Sequence, residues 1–441
     1  MKGYAKYVEV ESRWAKYIPE SWTFSNIAEV FIERKENNNP IKTMDILSLT
    51  NTRGVIPYKE KGNIGNKAKE DLTGYRLAYP GDIVFNSMNA VIGSVGLSKY
   101  FGAVSPVYYM LYLRDTAKNN IRFFDYVFQD RVFQSGLNGL GNGILEIRMR
   151  IPMSKLKYVG VPVPPRTEQD QIVRYLDWQV SKINRLIAAK RKEIDAIHDM
   201  ERLYIDHVFS EIANQKTIRL KYLVEQFVDC PHETPEYCKD GDYCVIRTAD
   251  QDYGYLRSET LMYRLTESEY TNRIRRAPLN AGDIVYGREG ERWGLACVIP
   301  EAEKFCLGQR IMQFVCNKQM VTPEYVMWAL NSSYVRNQGI LDTMGSTSPH
   351  VNISTIINFR IPYTSREHQH TLVSKIECTM QKYRQLCERI ENEIQLLHDL
   401  RTRLISDVVT GQVDVRGIEV PEYELVDNVV AESEAEELEV E

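Results

Sequence analysis

The stretch from Thr167 to Val208, TEQDQIVRYLDWQVSKINRLIAAKRKEIDAIHDMERLYIDHV, sets the architecture of this chain. Its apolar residues recur at heptad spacing in two interleaved series: Leu176, Ile183, Ile197 and Tyr204, and Val173, Val180, Ile187, Ile194 and Val208. A stripe of two positions per heptad is typical of a coiled-coil seam, whereas a helix that lies on a globule has a broader apolar face. The stretch therefore predicts one helix of about 60 Å, at about 1.5 Å per residue.

A second stretch, residues 367–408, carries the same pattern. Its two series are Ile376, Tyr383, Ile390, Leu397 and Leu404, and Val373, Met380, Cys387, Ile394 and Val408. Two such helices in one chain most simply pair with each other, although each could instead pack on its own domain. The predicted seam comprises Leu176, Ile183, Ile187, Ile194, Ile197, Ile376, Ile390, Ile394, Leu397 and Leu404. Lys190, Glu201 and Arg401 interrupt the series, and polar residues at such positions fix helix register.

Both helices have recognisable start signals. Pro164-Pro165 precedes Thr167-Glu168-Gln169-Asp170, a Thr-x-x-Asp capping pattern, and Thr364-Ser365-Arg366-Glu367 repeats that pattern in the second copy. A hydroxyl or carboxylate at these positions can accept a hydrogen bond from an unpaired N–H of the first helical turn.

The helices belong to an internal duplication. At a shift of 200 residues, thirteen identities fall between Ser154 and Val208; they begin with Ser154, Pro162, Arg166, Gln169 and Val173, which meet Ser354, Pro362, Arg366, Gln369 and Val373. At a shift of 201, Gly81-Asp82-Ile83-Val84 meets Gly282-Asp283-Ile284-Val285, and Gly93 meets Gly294. A period this long indicates duplicated domains and excludes a solenoid of short repeats.

Each half begins with a segment of short alternating stretches, residues 20–160 and 217–360. Helices are predicted near the segment ends, at Ile121–Gln134 closed by Gly136 and from Thr322-Pro323-Glu324 to Gly339. The predicted class is α+β, with two mixed, mostly antiparallel domains that alternate with two long helices. The predicted boundaries are 1–160, 161–213, 214–360, 361–416 and an acidic, disordered tail at 417–441.

Charge is distributed unevenly along the chain. The tail carries ten acidic residues between Glu419 and Glu441 and no lysine or arginine. Without these ten, 55 basic residues face 50 acidic residues, so residues 1–416 have a net charge of +5. A mildly basic body permits nucleic-acid binding.

The composition narrows the class of protein further. Eight cysteines, Cys230 to Cys387, lie in the second half without a Cys-x-x-Cys pair, so neither a disulfide framework nor a zinc site is expected. No apolar run approaches the roughly 18 residues of a membrane span, and the first residues do not resemble a secretory signal. We therefore expect no membrane association and a cytoplasmic location.

Motifs that suggest catalysis have simpler interpretations. The loop from Gly136 to Gly143 follows a helix and lacks the Gly-Lys-Ser/Thr ending of a phosphate loop. Cys230 and His232 with His350 could form a nucleophile and base, but no oxyanion donor or third group can be named. His198 and His398 occupy equal points on the two helices and are expected to flank the seam. The sequence thus predicts no catalytic centre and no metal site.

The remaining candidates are basic and amide side chains. Arginine, asparagine and glutamine can read guanine and adenine edges bidentately, while lysine mostly contacts phosphate. Arg288 and Arg292 are the leading candidates because they follow the repeated Gly-Asp-Ile-Val strand. The full set of predicted DNA-binding residues is Arg53, Lys59, Lys61, Asn86, Asn89, Arg247, Arg257, Arg288, Arg292, Gln309 and Arg310.

The order of these features resembles the specificity subunits of type I restriction–modification systems. The resemblance covers about residues 14–416 and rests on four motifs: Ile18-Pro19-Glu20-Ser21-Trp22, Pro162-Val163-Pro164-Pro165-Arg166-Thr167-Glu168-Gln169, Asp229-Cys230-Pro231-His232-Glu233-Thr234-Pro235, and Thr410-Gly411-Gln412-Val413-Asp414-Val415-Arg416. The second helix departs from the family pattern, with Arg366-Glu367-His368-Gln369 where Pro-Pro-x-x-Glu-Gln is usual.

The resemblance implies two target-recognition domains held apart by an antiparallel coiled coil. Each domain would read one half of a split, asymmetric sequence in double-stranded DNA, and the coil would set the unread gap. Two modification subunits would dock on the coil and methylate adenine N6 with S-adenosylmethionine. Restriction subunits, with ATP and Mg²⁺, would translocate and cut. This chain itself would bind no cofactor.

Two other functions are alternatives to DNA recognition for this sequence. A stand-alone methyltransferase or nuclease is not favoured, because the sequence has no Asn/Asp-Pro-Pro-Tyr/Phe motif, no phosphate loop and no evident nuclease carboxylate cluster. A coiled-coil adaptor that binds only proteins stays open, because the basic residues alone do not demonstrate DNA binding.

Overall fold

The computed structural model describes residues 2–51, 53–61, 68–141, 150–300, 304–344 and 349–426. The chain divides into two compact units. Unit 1 comprises Met1–Lys192 and Glu391–Glu441, and unit 2 comprises Glu193–Ile390. Each unit contains one copy of the duplicated segment and one part of each long helix. The predicted domain boundaries, which treat the long helices as separate domains, stay predictions.

The first copy consists of short strands, short helices and the first long helix. Its strands are β1 (Tyr7–Glu9), β2 (Tyr17–Pro19), β3 (Thr23–Asn26), β4 (Phe31–Arg34), β5 (Leu47–Thr50), β6 (Gly54–Pro57), β7 (Arg76–Ala78), β8 (Ile83–Asn86), β9 (Val95–Leu97), β10 (Gly102–Val104), β11 (Tyr108–Leu113) and β12 (Gly160–Val163). Its helices are α1 (Ile27–Val30), α2 (Ile121–Gln129), α3 (Arg131–Gly136), α4 (Met153–Leu156) and α5 (Arg166–Ala213).

The central sheet of the first copy is antiparallel, in the order β4-β11-β8-β9. Met110 pairs with Val84 on one face, where both join a core cluster with residues of the β5–β6 hairpin. On the other face, the ring of Phe85 lies 6.3 Å from that of Phe128 in α2. Strands covered on both faces read as continuous apolar runs, which explains the sequence Ile-Val-Phe in β8.

The second copy repeats this arrangement. Its strands are β13 (Thr217–Arg219), β14 (Val224–Asp229), β15 (Tyr243–Ile246), β16 (Gln251–Asp252), β17 (Tyr255–Leu256), β18 (Arg264–Leu265), β19 (Ile284–Gly287), β20 (Ala296–Val298), β21 (Phe305–Leu307), β22 (Ile311–Cys316) and β23 (Arg360–Pro362). Its helices are α6 (Glu267–Arg273), α7 (Pro323–Asn331), α8 (Ser333–Arg336), α9 (Ile340–Thr343), α10 (Ile353–Ile356) and α11 (Arg366–Val409).

The central sheet of the second copy has the order β14-β22-β19-β20 and is also antiparallel. Each strand thus occupies the place of its counterpart in the first copy. A parallel pair, β15 with β21, makes the fold mixed. The predicted α+β class with mostly antiparallel strands is confirmed.

The predicted short helices end earlier than expected. The first ends at Gln129 because Asp130 begins a new helix and accepts a hydrogen bond from the Val132 N–H (3.2 Å). The second starts with Pro323 in its first turn, as predicted, but ends at Asn331, where Ser332 separates α7 from α8. Asp130 and Ser332 therefore each stand immediately before a second helix inside the predicted range.

One buried glutamine at the start of each long helix ties that helix to its own domain. Gln169 accepts a hydrogen bond from the N–H of Asn120, which precedes α2 (2.7 Å), and donates to the carbonyl of Pro164 (2.8 Å). Gln369 repeats both bonds, accepting from the N–H of Thr322 (3.1 Å) and donating to Thr364 (2.9 Å). Both side chains are fully buried. This repeated contact explains why the two glutamines match in the duplication.

The starts of the long helices differ in detail from the predicted caps. Residue Thr167 lies inside the first turn of α5, and the first carbonyl to accept a helical hydrogen bond is that of Pro165. In the second copy Ser365, rather than Thr364, is the cap, since its hydroxyl accepts from the His368 N–H (3.4 Å). The capping pattern predicted the start of each helix to within two residues, but the predicted threonine is not the capping residue in either helix.

The departure of the second helix from the family pattern also has a structural reason. In unit 1 the Glu168 carboxylate accepts hydrogen bonds from the hydroxyl of Tyr4 (2.5 Å) and the indole N–H of Trp22 (2.9 Å), and it is buried. Glu168 thereby holds the N-terminal segment against α5. The equal position in unit 2 is His368, which is exposed and pairs with the Thr364 hydroxyl (2.9 Å). Because His368 is exposed, this position has no buried hydroxyl or indole group to bind, and a carboxylate is not required there.

Within unit 1, the first part of α5 runs antiparallel to the last part of α11. The Lys190 ammonium contacts the Glu393 carboxylate (2.8 Å), and Arg401 donates to the side-chain oxygen of Asn184 (2.9 Å). Residue numbers thus increase from 184 to 190 along α5 while those of their partners decrease from 401 to 393 along α11, as in an antiparallel pair. Two of the three residues that interrupt the seam therefore pair between the helices, as expected of register-fixing positions.

Within unit 2, residues of both long helices enter one core. Ile205, Phe209 and Ile212 of α5 cluster with Val373, Ile376 and Met380 of α11, together with buried side chains of α7. The third interrupting residue, Glu201, is buried and bonds to His198 on its own helix (2.9 Å). The long helices therefore pair with each other and also pack on the domain, which combines the two alternatives for the sequence.

The predicted seam residues are mostly enclosed. Ile194 and Leu397 are half-buried. The others are buried: Leu176, Ile183, Ile187, Ile197, Ile376, Ile390, Ile394 and Leu404.

The prediction of a solvated tail needs correction for its first residues. Residues 418–426 lie along α5 in unit 1, where Val420 is buried and the Val426 N–H donates to the Ser181 hydroxyl (3.0 Å). Side chains of α5 bind backbone groups of this tail segment, and such contacts cannot be predicted from its acidic composition. Residues 427–441 lie outside the described part of the chain. Among the described residues, no helix is long and apolar enough to cross a membrane.

We predict that Gln169→Ala destabilises unit 1 by about 2–4 kcal/mol, because it leaves a buried N–H and a buried carbonyl without partners. The measurement is urea unfolding, with hydrogen exchange of α2 to assign the effect to unit 1. Gln369→Ala should do the same to unit 2. The control is Thr167→Ala, an exposed change in the same turn, which should cost less than about 0.5 kcal/mol. Equal effects of Gln169→Ala and Thr167→Ala would contradict this role.

Candidate nucleic-acid interface

The repeated Gly-Asp motif fixes the strand that leads to the candidate surface. Asp82 is buried, accepts a hydrogen bond from the Tyr79 N–H (3.0 Å) and holds the guanidinium of Arg34 (2.8 Å). Asp283 is buried likewise and accepts from the Asn280 N–H (2.8 Å). These carboxylates therefore close the turn before β8 and β19, so the motif is structural.

Beyond each of these strands the chain makes the same turn. The N–H of Asn86 donates to Ser94 (3.0 Å), and the N–H of Gly287 donates to Leu295 (2.9 Å). Gly93 and Gly294 have φ values of 97° and 86°, a conformation that favours glycine. The backbone of the turn is thus conserved between the copies, while its side chains differ.

In unit 1, two of the predicted DNA contacts belong to the turn itself. Asn86 is buried, donates to the Ser94 hydroxyl (3.3 Å) and accepts from the Met88 N–H (3.0 Å). Asn89 is half-buried, and its carbonyl accepts hydrogen bonds from two N–H groups of the following turn. Both residues support the backbone of this turn.

The three basic candidates of unit 1 lie together on the β5–β6 hairpin and the helical turn after it. Arg53 is exposed and donates to the backbone and the carboxylate of Glu60 (3.0 and 3.1 Å). Lys61 lies 5.7 Å from the ring centre of Tyr58, and Lys59 is exposed. This small basic surface can contact phosphate.

In unit 2, three of the predicted arginines hold loops in place. Arg247 forms two bonds with the buried carboxylate of Asp250 (2.9 and 2.8 Å), which raise its pKa. Arg292 donates to the carbonyl of Gln251 (2.6 Å). Arg288 is buried and bonds to Glu289 (2.6 Å). Arg288 and Arg292, the leading candidates from the sequence, are therefore committed to protein partners.

The other candidates of unit 2 are more accessible. Arg257 and Arg310 are exposed, and Gln309 is half-buried. The side-chain oxygen of Gln309 is buried without a hydrogen-bond partner among the described residues. Gln309 and Arg310 lie in the turn between β21 and β22, and the carbonyl of Arg310 accepts from the N–H of Arg288 (3.0 Å).

Arg276 is a further exposed arginine, which lies near the candidates in sequence but is not among the predicted DNA-binding residues. It donates to the carbonyl of Asp229 (3.2 Å), and the Asp229 carboxylate lies 3.8 Å from Arg288. Arg276, Arg288 and Arg310 thus form one group, here called the arginine cluster. The run Arg273-Ile274-Arg275-Arg276 was the available signal, but only the fold shows that Arg273 is buried while Arg276 reaches this surface.

The residues considered for catalysis lack a reactive arrangement. Burial raises the pKa of the Cys230 thiol to about 11, which disfavours a nucleophilic thiolate. His232 pairs with Asp229 (3.1 Å), and His198 pairs with Glu201, whose hydrogen bond raises the histidine pKa. His398 lies 3.3 Å from Arg401.

The described residues contain no group of three metal-ligating side chains. The end of the glycine-rich loop, residues 142–143, lies outside them.

Comparison with known proteins agrees with this architecture. The chain is 20% identical to the type I restriction enzyme MjaVIII specificity subunit of Methanocaldococcus jannaschii, over 91% of this chain and 95% of that protein. It is also 20% identical to the putative type I restriction enzyme MjaX specificity subunit of the same organism, over 90% and 95%.

A solved chain from a study of complex assembly and conformational transition in the type I R-M system superimposes with a TM-score of 0.60. The two chains share 12% identity, and the match covers 90% of this chain and 99% of that one. At this identity the likeness shows the fold alone.

The family model described as the type I restriction modification DNA specificity domain matches residues 19–196 and again residues 229–396. The two matches follow the two copies of the duplication and together span well over half of the chain. This chain therefore belongs to the family of type I restriction–modification DNA specificity subunits.

Proposed function

We propose that each copy of the duplicated domain reads one half of a split DNA target, while partner subunits carry out methylation and cleavage. The observation that carries this proposal is the repeated sheet, which ends in the same turn in both copies but presents different side chains there. Two identical frames with different surfaces suit two different half-sites. Family membership favours this function over a protein-only adaptor.

In unit 2, the arginine cluster and Gln309 are the proposed reading surface. Arg276 and Arg310 are exposed, so each guanidinium can reach a guanine edge or a phosphate. The amide oxygen of Gln309 is buried without a partner among the described residues, so a rotation of this side chain toward DNA would let it accept a bond from adenine N6. Arg288 lies beneath them with Asp229 and Glu289, and we assign it to positioning these loops.

In unit 1, Arg53, Lys59 and Lys61 are the proposed phosphate contacts. Lysine and arginine on a hairpin tip neutralise phosphate and thereby set the orientation of a domain on DNA.

The helical pair offers docking surfaces for two modification subunits. In unit 1, Leu186 and Leu400 each come one residue before a seam position of the same series. In an antiparallel pair such positions lie on the same side of the two helices. Both side chains are about half exposed. In unit 2, Met200 and Leu386 occupy the corresponding places and are also exposed. Exposed leucine and methionine at regular helical spacing suit an apolar helix of a partner. One patch in each unit supports one modification subunit per unit.

The cofactors are assigned to the partners. S-adenosylmethionine would bind the modification subunits, and ATP and Mg²⁺ would bind the restriction subunits. The lack of an Asn/Asp-Pro-Pro-Tyr/Phe motif and of a Gly-Lys-Ser/Thr loop in this sequence supports that division. The proposed location is the cytoplasm, where the DNA to be modified is found.

The first prediction concerns the arginine cluster. Arg276→Ala and Arg310→Ala should each cost about 1–3 kcal/mol of DNA binding, by relaxing one base position or by weakening all sequences equally if the contact is to phosphate. The measurement is methylation of a half-site library by the assembled methyltransferase. Arg288→Ala should weaken all targets and also lower the melting temperature. Arg219→Ala, an exposed change on β13, is the control. If Arg276→Ala and Arg310→Ala both methylate with wild-type specificity and rate, this surface does not contact DNA.

The second prediction concerns docking. Leu186→Asp with Leu400→Asp should remove one modification subunit, because a carboxylate cannot be buried in an apolar contact without a partner. Met200→Asp with Leu386→Asp should remove the other. Native mass spectrometry of the co-expressed complex gives the count of subunits. Controls are Gln381→Asp and Gln395→Asp, exposed changes elsewhere on α11. Two modification subunits retained in both double variants would rule out these patches.

The third prediction concerns the spacing of the half-sites. One extra heptad after Ile187 and another after Cys387 preserve the apolar heptad repeat and lengthen the coil by ~10 Å, although they move Lys190 one heptad away from Glu393. At about 3.4 Å per base step, the unread gap should grow by roughly three base pairs with both half-sites unchanged. Methylome sequencing measures the gap. A four-residue insertion should be worse, because it breaks the seam. An active heptad variant with the original gap would show that the coil does not set the spacing.

A further inference from the structure

The C-terminal segment of unit 1 lies in an unusual place for so acidic a stretch. Residues 418–426, here called the strap, contain Glu419, Glu422 and Glu424 and run along one face of α5. The side chains that contact the strap recur along that face: Gln171, Arg174, Asp177, Ser181, Asn184 and Arg185. The strap thus follows the helix over about four turns.

Most of these contacts involve the backbone of the strap. Gln171 donates to the carbonyl of Ile418 (2.7 Å), and Asn184 donates to the carbonyl of Val426 (2.9 Å). Arg185 donates to the carbonyl of Glu424 (3.2 Å). Contacts of this kind hold an extended chain with little regard to its side chains, as backbone recognition does in peptide-binding proteins.

Two contacts select for particular side chains. Arg185 forms an ion pair with the Glu424 carboxylate (3.0 Å). The hydroxyl of Tyr423 donates to Asp177 (3.3 Å), whose buried carboxylate also binds Arg122 (2.7 and 2.8 Å). The face therefore prefers a segment with an aromatic hydroxyl followed by an acid.

The equal face of α11 in unit 2 provides an internal comparison. Thr371, Ser374, Glu377, Gln381, Arg384 and Gln385 occupy the corresponding positions, and all six are exposed. Ser374 and Gln385 replace Arg174 and Arg185. The arginine among the six, Arg384, lies 3.6 Å from the ring centre of Tyr255, and the two arginines that meet the strap on α5 have no counterparts at the same positions. We therefore expect binding of the strap to depend on side chains that α5 has and α11 lacks.

We propose that this face of α5 is a binding site for an extended acidic peptide, filled in cis by the chain's own strap and open to exchange with an acidic segment in trans. A tether gives the strap an effective concentration in the millimolar range. A competing segment must therefore be abundant or must bind more tightly. The strap then acts as an exchangeable cover on one of the two long helices, in unit 1 alone.

The test separates the strap from the chain after folding. A site for a specific protease is inserted after Gly417, which is exposed and has no neighbouring atom within 4 Å of an added Cβ. The full chain folds first, and cleavage then frees residues 418–441. The probe is a fluorescent synthetic peptide that covers Ile418 to Val426. Anisotropy measures its binding, and gel filtration with mass spectrometry measures retention of the cleaved fragment.

The labelled peptide is expected to bind the cleaved chain, to displace the fragment, and to bind the uncut chain far more weakly. Gln171→Ala with Arg185→Ala should weaken peptide binding about tenfold, because both contacts are lost. Thr371→Ala with Gln385→Ala, the matched changes on α11, should have no effect. A peptide with lysine in place of all three glutamates should not bind, and added salt should weaken the native peptide.

Two results would overturn the proposal. In one, the fragment leaves the cleaved chain and the labelled peptide still fails to bind, so the strap is held only by its tether. In the other, the peptide binds the α5 and α11 variants equally, so its contact with the helix is nonspecific.

Discussion

The pairing of a few polar side chains within an apolar seam underlies the rest of this structure. Apolar heptads alone tolerate a slip by one repeat or a reversal of direction, because isoleucine and leucine pack equally well in several registers. Lys190 with Glu393, and Asn184 with Arg401, allow only one antiparallel arrangement in unit 1. Leaving a half-buried charge without its partner would cost free energy, so these pairs restrict the register. The segment of each domain that precedes its helix is fixed to this frame by one buried glutamine.

The duplication shows which features belong to the frame and which belong to recognition. Gln169 and Gln369, Asp82 and Asp283, and Gly93 and Gly294 make the same local contacts or take the same conformation in both copies. Side chains beyond the repeated strand differ, with the exposed Met88 in one copy where the half-buried Glu289 stands in the other. A frame held by buried hydrogen bonds can keep its shape while surface residues change, since surface substitutions cost little stability. This separation suits a protein that must present two different reading surfaces.

Charge is used differently in the different parts of the chain. Several arginines of unit 2 are structural, since Arg247, Arg273 and Arg288 are bound to carboxylates or carbonyls inside the domain. In the strap, the Glu424 carboxylate pairs with Arg185 of α5 in unit 1 (3.0 Å). Neither the net charge of the body nor that of the tail therefore measures how much charge is available to DNA. Exposure and pairing decide that for each side chain.

The sequence by itself determined the duplication, the two long helices to within a few residues, the seam and the α+β class, because heptad spacing and matched motifs are local or periodic signals. Only the tertiary structure decided which basic residues are available for DNA. The sequence favoured Arg288 over Arg276, but Arg288 is enclosed by Asp229 and Glu289 while Arg276 reaches the surface. The position of the strap also could not be predicted from the sequence. Its binding depends on side chains some 240 positions earlier, and contacts between residues so far apart in the chain leave no periodic pattern in a single sequence.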